Sequence, residues 1–309
     1  MDYAFAGAMS GLVAGIIVCP LDVVKVRLQN QPPISLTNYN GTFPTLVRIA
    51  KEEGLKGLFS GLSPTILSYL CDRMLWFATY ESFKVAISNH TTRKLDDPFV
   101  HSGSALLSSV VCVVGITPLW VIRTRMMTQN TETIYYYRSV SHAFKSIIKK
   151  EGLTSLYRGL IPSFLGIAHP LIQFPLYERF KIVISNYEHH SKLEDYNPNK
   201  RPELSNLGIL TSSIVSKFIA AVITYPHEVI RTRLQTQTAP LNKNFSNNTS
   251  VIPNIVPYNG IVKTVKNMVV EEGWKSLYKG LPTNLIRTIP SAGISLWTYE
   301  MILNNMKNI

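Results

Sequence analysis

Residues 117–125 read TPLWVIRTR, and the segment has two relatives in the chain, CPLDVVKVR at 19–27 and YPHEVIRTR at 225–233. Each has a proline, a variable residue, a marked position, two apolar residues, a base, one more residue and an arginine. The marked position is acidic in the outer copies, Asp22 and Glu228, but holds Trp120 in the middle one. Each copy closes or extends an apolar run. Segments 3–21, 99–122 and 159–177 contain no Asp, Glu, Lys or Arg, and each is long enough for most of a bilayer span. Segments 61–80, 204–227 and 280–299 qualify once isolated charges are admitted, so six spans are predicted.

Two further motifs recur in the same order. EGLKGLFSG (53–61), EGLTSLYRG (151–159) and EGWKSLYKG (272–280) precede the even spans, which close on YESFK (80–84), YERFK (177–181) and YEMIL (299–303). Three motif types, in order and three times over, define an internal repeat, and its units are predicted at 1–94, 95–190 and 200–309 within one integral body. Between the first two motifs of a repeat lies a short amphipathic segment such as TFPTLVRIAKEEG (42–54), read as a helix on the membrane surface. The polar stretches 189–203 and 238–257 read as loops. The fold class is therefore all-α membrane protein.

Composition agrees: 46% of residues are hydrophobic and only 16% charged, with mean hydropathy +0.10. A net charge of +12 suggests anionic partners. Nucleic acid is the weaker choice, because the bases are scattered between apolar runs and no zinc-finger or RNA-binding signature is present. Cys19, Cys71 and Cys112 lie in apolar stretches without metal or disulfide spacing, so they read as core residues and no metal is expected. The first apolar run is not read as a signal peptide, since it carries the first copy of the repeat. The sequons at Asn89, Asn244 and Asn248 matter only in a secretory compartment. No nucleophile elbow or phosphate-binding glycine loop is found, so no enzyme chemistry and no cofactor are expected.

These three motifs resemble those of the mitochondrial carrier family along nearly the whole chain. The resemblance implies six tilted helices in three pseudo-symmetric pairs round a cavity, with short helices on the matrix side. It implies a monomer in the inner membrane that exchanges a small solute by alternating access, with membrane lipid, cardiolipin as a candidate, as its other partner. It gives the motif charges a role as gates. On the matrix side Asp22 would face Arg123 and Glu228 would face Lys25, while Trp120 leaves Arg231 without a carboxylate. Trp120 either stacks on Arg231 through a cation–π contact or faces lipid as an interfacial anchor. Gln29 and Gln235 occupy the family's glutamine-brace position, where repeat two has Met127. On the cytoplasmic side Tyr80, Glu81 and Lys84, and Tyr177, Glu178 and Lys181, fit the pattern, whereas Tyr299 and Glu300 are followed by Leu303. The prolines are expected to end the odd spans and bend them inward. Gly7, Gly11 and Gly15 are read as a helix-packing stripe.

Away from these motifs the spans hold four charged residues, Asp72, Arg73, Lys217 and Arg287. Charges at such depth face an interior cavity, and three of the four are basic, which argues for an anionic solute. Asp72 and Arg73 could instead satisfy each other. By resemblance, Arg287 stands at the helix-six substrate contact, Leu165 and Gly166 at that of helix four, and Ser68 at that of helix two, with Arg73 and Trp76 further along. His169 and Gln173 could hydrogen-bond a base or ribose. The small apolar contact on helix four and Trp120 are similar to the branch carrying NAD, FAD, folate and pyrimidine nucleotides. NAD is the first choice, pyrimidine nucleotides the second, flavin or folate the third. Asp72 and Arg73 depart from the NAD pattern. A carrier-shaped scaffold without transport is the alternative of another class.

Overall fold

The computed structural model describes residues 2–31, 39–91, 94–130, 136–190, 205–237 and 260–307. Among them the regular structure is helical. Repeat one holds α1 (Asp2–Asn30), α2 (Thr42–Glu52), α3 (Gly54–Leu58) and α4 (Leu62–Thr91). Repeat two holds α5 (Pro98–Thr128), α6 (Val140–Glu151), α7 (Leu160–Leu165) and α8 (Ala168–His190), and repeat three α9 (Asn206–Thr236), α10 (Ile261–Glu272) and α11 (Leu281–Lys307). Sequons Asn244 and Asn248 and most of both polar loops lie outside the described residues.

Local chemistry sets many of the ends. The Asp97 carboxylate accepts from the Phe99 amide with Pro98 in the first turn, and Ser139 and Ser205 cap α6 and α9 in the same way. Met9–Asn30, Pro98–Thr128, Leu153–Tyr187 and Leu207–Thr236 are long and apolar enough to cross a membrane by length and composition. Helices α4 and α11 are comparably long, 30 and 27 residues, but carry Asp72, Arg73 and Arg287, the kind of charge that marks an aqueous interior.

The pairing closes a ring, because each even helix packs against the odd helix of the following repeat: α4 on α5, α8 on α9, and α11 back on α1. Small buried residues run along the odd helices at one-turn spacing, Ser10, Ala14 and Val18 on α1, Ser104, Ser108 and Cys112 on α5, and Ser212, Ser216 and Ala220 on α9. Where α4 meets α5, a Cβ on Gly115 would stand 2.7 Å from Leu75, and Cys112 Sγ lies 3.9 Å from the Asp72 carbonyl. The stripe of Gly7, Gly11 and Gly15 is one position off this seam. Among the described residues nothing lies within 4 Å of a Cβ built on Gly7 or Gly11, and only Gly15 has a neighbour, Tyr69 at 3.6 Å. The packing expectation therefore fails for Gly7 and Gly11.

Two more expectations are corrected. Pro20, Pro118 and Pro226 do not end their helices, which run on to Asn30, Thr128 and Thr236. The residues beyond each proline are buried, Val23 and Val24, Val121 and Ile122, Val229 and Ile230, and that packing outweighs one lost backbone bond. The fourth span is interrupted: α7 stops at Leu165 and α8 starts at Ala168. Pro170 has no amide hydrogen and its ring crowds the carbonyl four residues earlier, that of Gly166. The freed carbonyl accepts instead from the His169 amide at 3.2 Å.

One glycine per repeat locks the ring at its proline end. Gly61, Gly159 and Gly280 have φ of 84°, 81° and 83°, a region open to glycine. A Cβ there would stand 3.3, 3.2 and 3.2 Å from the carbonyls of Arg123, Arg231 and Lys25 on the next odd helix. The start of each even helix thus rests on the gate base of its neighbour.

Candidate functional site

At the proline end the motif side chains converge. Asp22 is buried and accepts from Arg123 Nη2 at 2.9 Å. Lys25 Nζ lies 2.8 Å from Glu228 Oε2 and donates to Asn284 Oδ1 at 2.9 Å. The third pair is replaced by stacking, since the Arg231 guanidinium lies 4.6 Å from the centre of the Trp120 ring and that of Arg123 lies 4.7 Å from it. Trp120 therefore touches two cations, and it is half-buried rather than an exposed anchor. Arg287, expected to be free for a solute, instead donates to the second oxygen of Asp22. The glutamines tie odd helices together: Gln29 donates to the Tyr225 hydroxyl at 3.0 Å and accepts from Thr232 at 2.8 Å, and Gln235 accepts from Thr124 at 2.7 Å.

A second ring lies outside the first. Arg27, Arg125 and Arg233 pair with Glu53, Glu151 and Glu272 of their own repeats, the second Nη distances being 2.7, 3.0 and 2.9 Å. Each arginine also donates to two carbonyls at the end of a neighbouring odd helix: Arg27 to Met127 and Gln129, Arg125 to Gln235 and Gln237, Arg233 to Gln29 and Gln31. Carbonyls at a helix C-terminus have no partner within the helix, and a buried guanidinium fork fills that vacancy. Arg158 and Lys279 add a second cation to Glu151 and Glu272, at 3.1 and 2.6 Å, where repeat one has Ser60. Burial opposes the charge on Glu272, but the Arg233 and Lys279 contacts outweigh it and hold the carboxyl below its ordinary pKa.

Ser68, Gly166 and Arg287 each stand seven residues after the locking glycines Gly61, Gly159 and Gly280, so the three expected contact positions share one register. Ser68 is buried and its hydroxyl is returned to the Pro64 carbonyl at 2.6 Å. Leu165 is half-exposed and Gly166 lies in the helix break. A Cβ on Gly166 would come within 3.4 Å of His227 Nε2. Irregular backbone at this depth is tolerated where it lines a cavity or is covered by protein. His169 Nδ1 lies 3.0 Å from Thr224 Oγ1, Gln173 follows one turn later, and His227 Nδ1 contacts the Thr224 carbonyl. Lys217 is exposed on α9. Asp72 is half-buried and Arg73 exposed, while Trp76 stacks on Tyr80 with ring centres 4.8 Å apart.

At the opposite end the expected gate residues do not join neighbouring repeats by ion pairs. Lys181 pairs with Glu178 of its own helix at 3.3 Å and lies over the Tyr177 ring, and the Tyr80 hydroxyl meets His101 Nδ1 at 2.6 Å. Among the described residues Glu81, Lys84 and Glu300 form no ion pair, Tyr299 is half-buried, and nothing is described for the Leu303 side chain. The ion pairs between neighbouring helices thus concentrate at the proline end.

Sequence reasoning missed Asn284, Tyr225, Thr232 and Thr124, which complete the inner ring, and the partnership of the last motif arginine with the glutamate of the EG motif. The second was open to detection, because both residues recur three times in step. The model of the mitochondrial carrier protein family matches residues 1–91, 96–188 and 202–309. The chain is 35% identical to nicotinamide adenine dinucleotide transporter 2, mitochondrial, of Arabidopsis thaliana, across 99% of this chain and 80% of that protein. It is 34% identical to mitochondrial nicotinamide adenine dinucleotide transporter 1 of Saccharomyces cerevisiae, across 99% and 77% respectively. Solute carrier family 25 member 36-A of Danio rerio is 29% identical over 97% of this chain and 96% of its own length.

Proposed function

Because this chain belongs to the mitochondrial carrier family, we propose that it exchanges nucleotide-like anions across the inner mitochondrial membrane by alternating access, with NAD as its first substrate. The observation that carries the reading is the set of bases within the spans, together with the break between α7 and α8. Lys217 and Arg287 are the bases of these spans outside the proline motifs and beyond Arg73, and at Gly166 the backbone is irregular and carries no side chain, with His227 beside it. The fork of Arg287 suits phosphate oxygens. The names of the plant and yeast relatives support NAD over other nucleotides. A protein of this kind moves its solute unchanged and is not an enzyme.

The arrangement at the proline end reads as the closed matrix gate of a state open to the cytoplasm. Asp22–Arg123 and Lys25–Glu228 are its ion pairs, Trp120 and Arg231 replace the third, and Gln29 and Gln235 brace it. Tyr80, Glu81, Lys84, Tyr177, Glu178, Lys181, Tyr299 and Glu300 form the other gate when the cavity turns to the matrix. Arg73, Asp72, Trp76, Ser68, Leu165, His169 and Gln173 complete the solute path. The carrier works as a monomer, and membrane lipid, with cardiolipin as a candidate, covers apolar faces such as that of Phe43 and Val47 on α2.

The test is uptake of labelled NAD into liposomes holding the purified protein and internal NAD. Saturable exchange is expected. Pyrimidine nucleotides are the second reading, kept open because Asp72 and Arg73 depart from the NAD pattern, and inhibition by UTP but not by unlabelled NAD would install it. No exchange of any nucleotide, flavin or folate would leave the carrier-shaped scaffold.

A further inference from the structure

Lys25, Arg123 and Arg231 stand the same distance beyond Pro20, Pro118 and Pro226, one on each odd helix. The first two reach a carboxylate on another odd helix, at 2.8 and 2.9 Å. Arg231 meets the indole of Trp120, and its Nε is buried without a hydrogen-bond partner among the described residues. A cation–π contact is attractive but neutralises no charge. Arg287 joins the same cluster through Asp22. Four cations, Lys25, Arg123, Arg231 and Arg287, therefore surround two carboxylates, Asp22 and Glu228. A partly buried cluster with two uncompensated positive charges is unfavourable unless an anion enters it.

We propose that the transported anion itself supplies the counter-charge that Arg231 lacks, its phosphate oxygens docking on Arg231 beside the Trp120 ring and on Arg287. This rests on the exchange reading above and extends it, turning a gate residue into a ligand of the solute. The chemistry fits a diphosphate, because a planar fork holds two oxygens at once and the two excess charges match two phosphate charges. The position fits as well. Gly166 lies against His227, next in sequence to Glu228, so a ring laid on the break between α7 and α8 has its phosphates toward the charged cluster. Docking there draws Arg287 from Asp22, which then keeps only Arg123, and the gate is loosened by the solute that must pass it. An empty carrier keeps both excess charges, which favours exchange over one-way passage.

The experiment compares Trp120→Glu, which places a carboxylate opposite Arg231, with the uncharged Trp120→Gln. Both are measured by KM and maximal rate for labelled NAD in the liposome assay. A carboxylate that only strengthens the gate favours the cytoplasm-open state, slowing turnover without raising KM. A carboxylate that occupies the solute's place raises KM about tenfold above that of Trp120→Gln, the value of one charge-assisted hydrogen bond. Equal KM values in the two variants overturn the inference. Binding without transport is read from the rise in unfolding temperature that inorganic pyrophosphate gives the detergent-purified protein. That rise shrinks in Arg231→Gln and partly returns in Arg231→Lys; an undiminished rise in Arg231→Gln also overturns it. Failure of the parent protein to exchange any nucleotide removes the exchange reading and the inference together, whereas exchange with either negative result removes the inference alone.

Discussion

Arg287 of α11 and Arg123 of α5 hold the two oxygens of one carboxylate, Asp22 of α1. The residue expected to meet solute and the residue expected to close the gate therefore share an anion. Anything that competes for Arg287 acts directly on the carboxylate that holds Arg123, with no intervening relay.

The first prediction concerns that sharing. Asp22→Asn strands two guanidinium groups, the buried Arg123 and the partly buried Arg287, whereas Glu228→Gln strands only Lys25, which keeps Asn284. Removing one partner of a buried charge pair costs about 3–5 kcal/mol. Thermal unfolding of the detergent-purified variants should show the larger fall for Asp22→Asn. Equal falls would mean that the Arg287 contact contributes no stability.

Much of this architecture was legible in the repeats. Tripling of the proline, EG and YE motifs located six spans, and the family resemblance paired the proline-motif charges, where a departure such as Trp120 is conspicuous because the pattern is written three times. What escaped reading depends on packing. Nothing near Arg287 in sequence foretells Asp22, since the contact forms only when α11 closes back on α1. The glycine stripe on α1 was conspicuous but misleading, because the seam beside it uses Ser10, Ala14 and Val18, which look unremarkable in a row of letters. The break at Gly166 was written in its spacing to Pro170, yet an uninterrupted apolar run masks such a signal.

A second prediction tests the outer ring. The Arg125 side chain is fully buried and makes contacts with Glu151, the Gln235 carbonyl and the Gln237 carbonyl. Lysine keeps the charge but not the planar fork, so it cannot satisfy the carboxylate and both helix-end carbonyls together. Arg125→Lys should destabilise the protein by about 2 kcal/mol, read as a lower unfolding temperature. Stability equal to the parent would show that charge alone suffices there.

The third is a pH dependence. Glu272 has its folded pKa held below the ordinary carboxylate value of about 4.3. A depressed acid contributes stability that is complete above its unfolded pKa and is lost as pH falls through the folded one. The unfolding-temperature gap between the parent and Glu272→Gln should therefore hold steady from neutral pH down to about pH 5 and close below the ordinary carboxylate range. A gap that widens on acidification would contradict the Arg233 and Lys279 contacts as its source.

The fourth prediction separates folding from transport at the break between α7 and α8. Pro170→Ala returns an amide donor and removes the ring that crowds the Gly166 carbonyl, so the backbone can close into one helix. Unfolding temperature should rise or hold, because one backbone hydrogen bond is regained. If bare backbone at Gly166 receives the flat part of the solute, NAD exchange should nonetheless fall, with KM rising about tenfold or more as the surface it rests on is withdrawn. Gly166→Leu gives the complementary result by filling the same place: its Cβ would stand 3.0 Å from the Ser163 carbonyl and 3.4 Å from His227 Nε2, so the side chain must displace its neighbours. Both variants failing alike in exchange, with Pro170→Ala at least as stable as the parent, would assign the break to the solute. Unimpaired exchange in Pro170→Ala would assign it to folding alone.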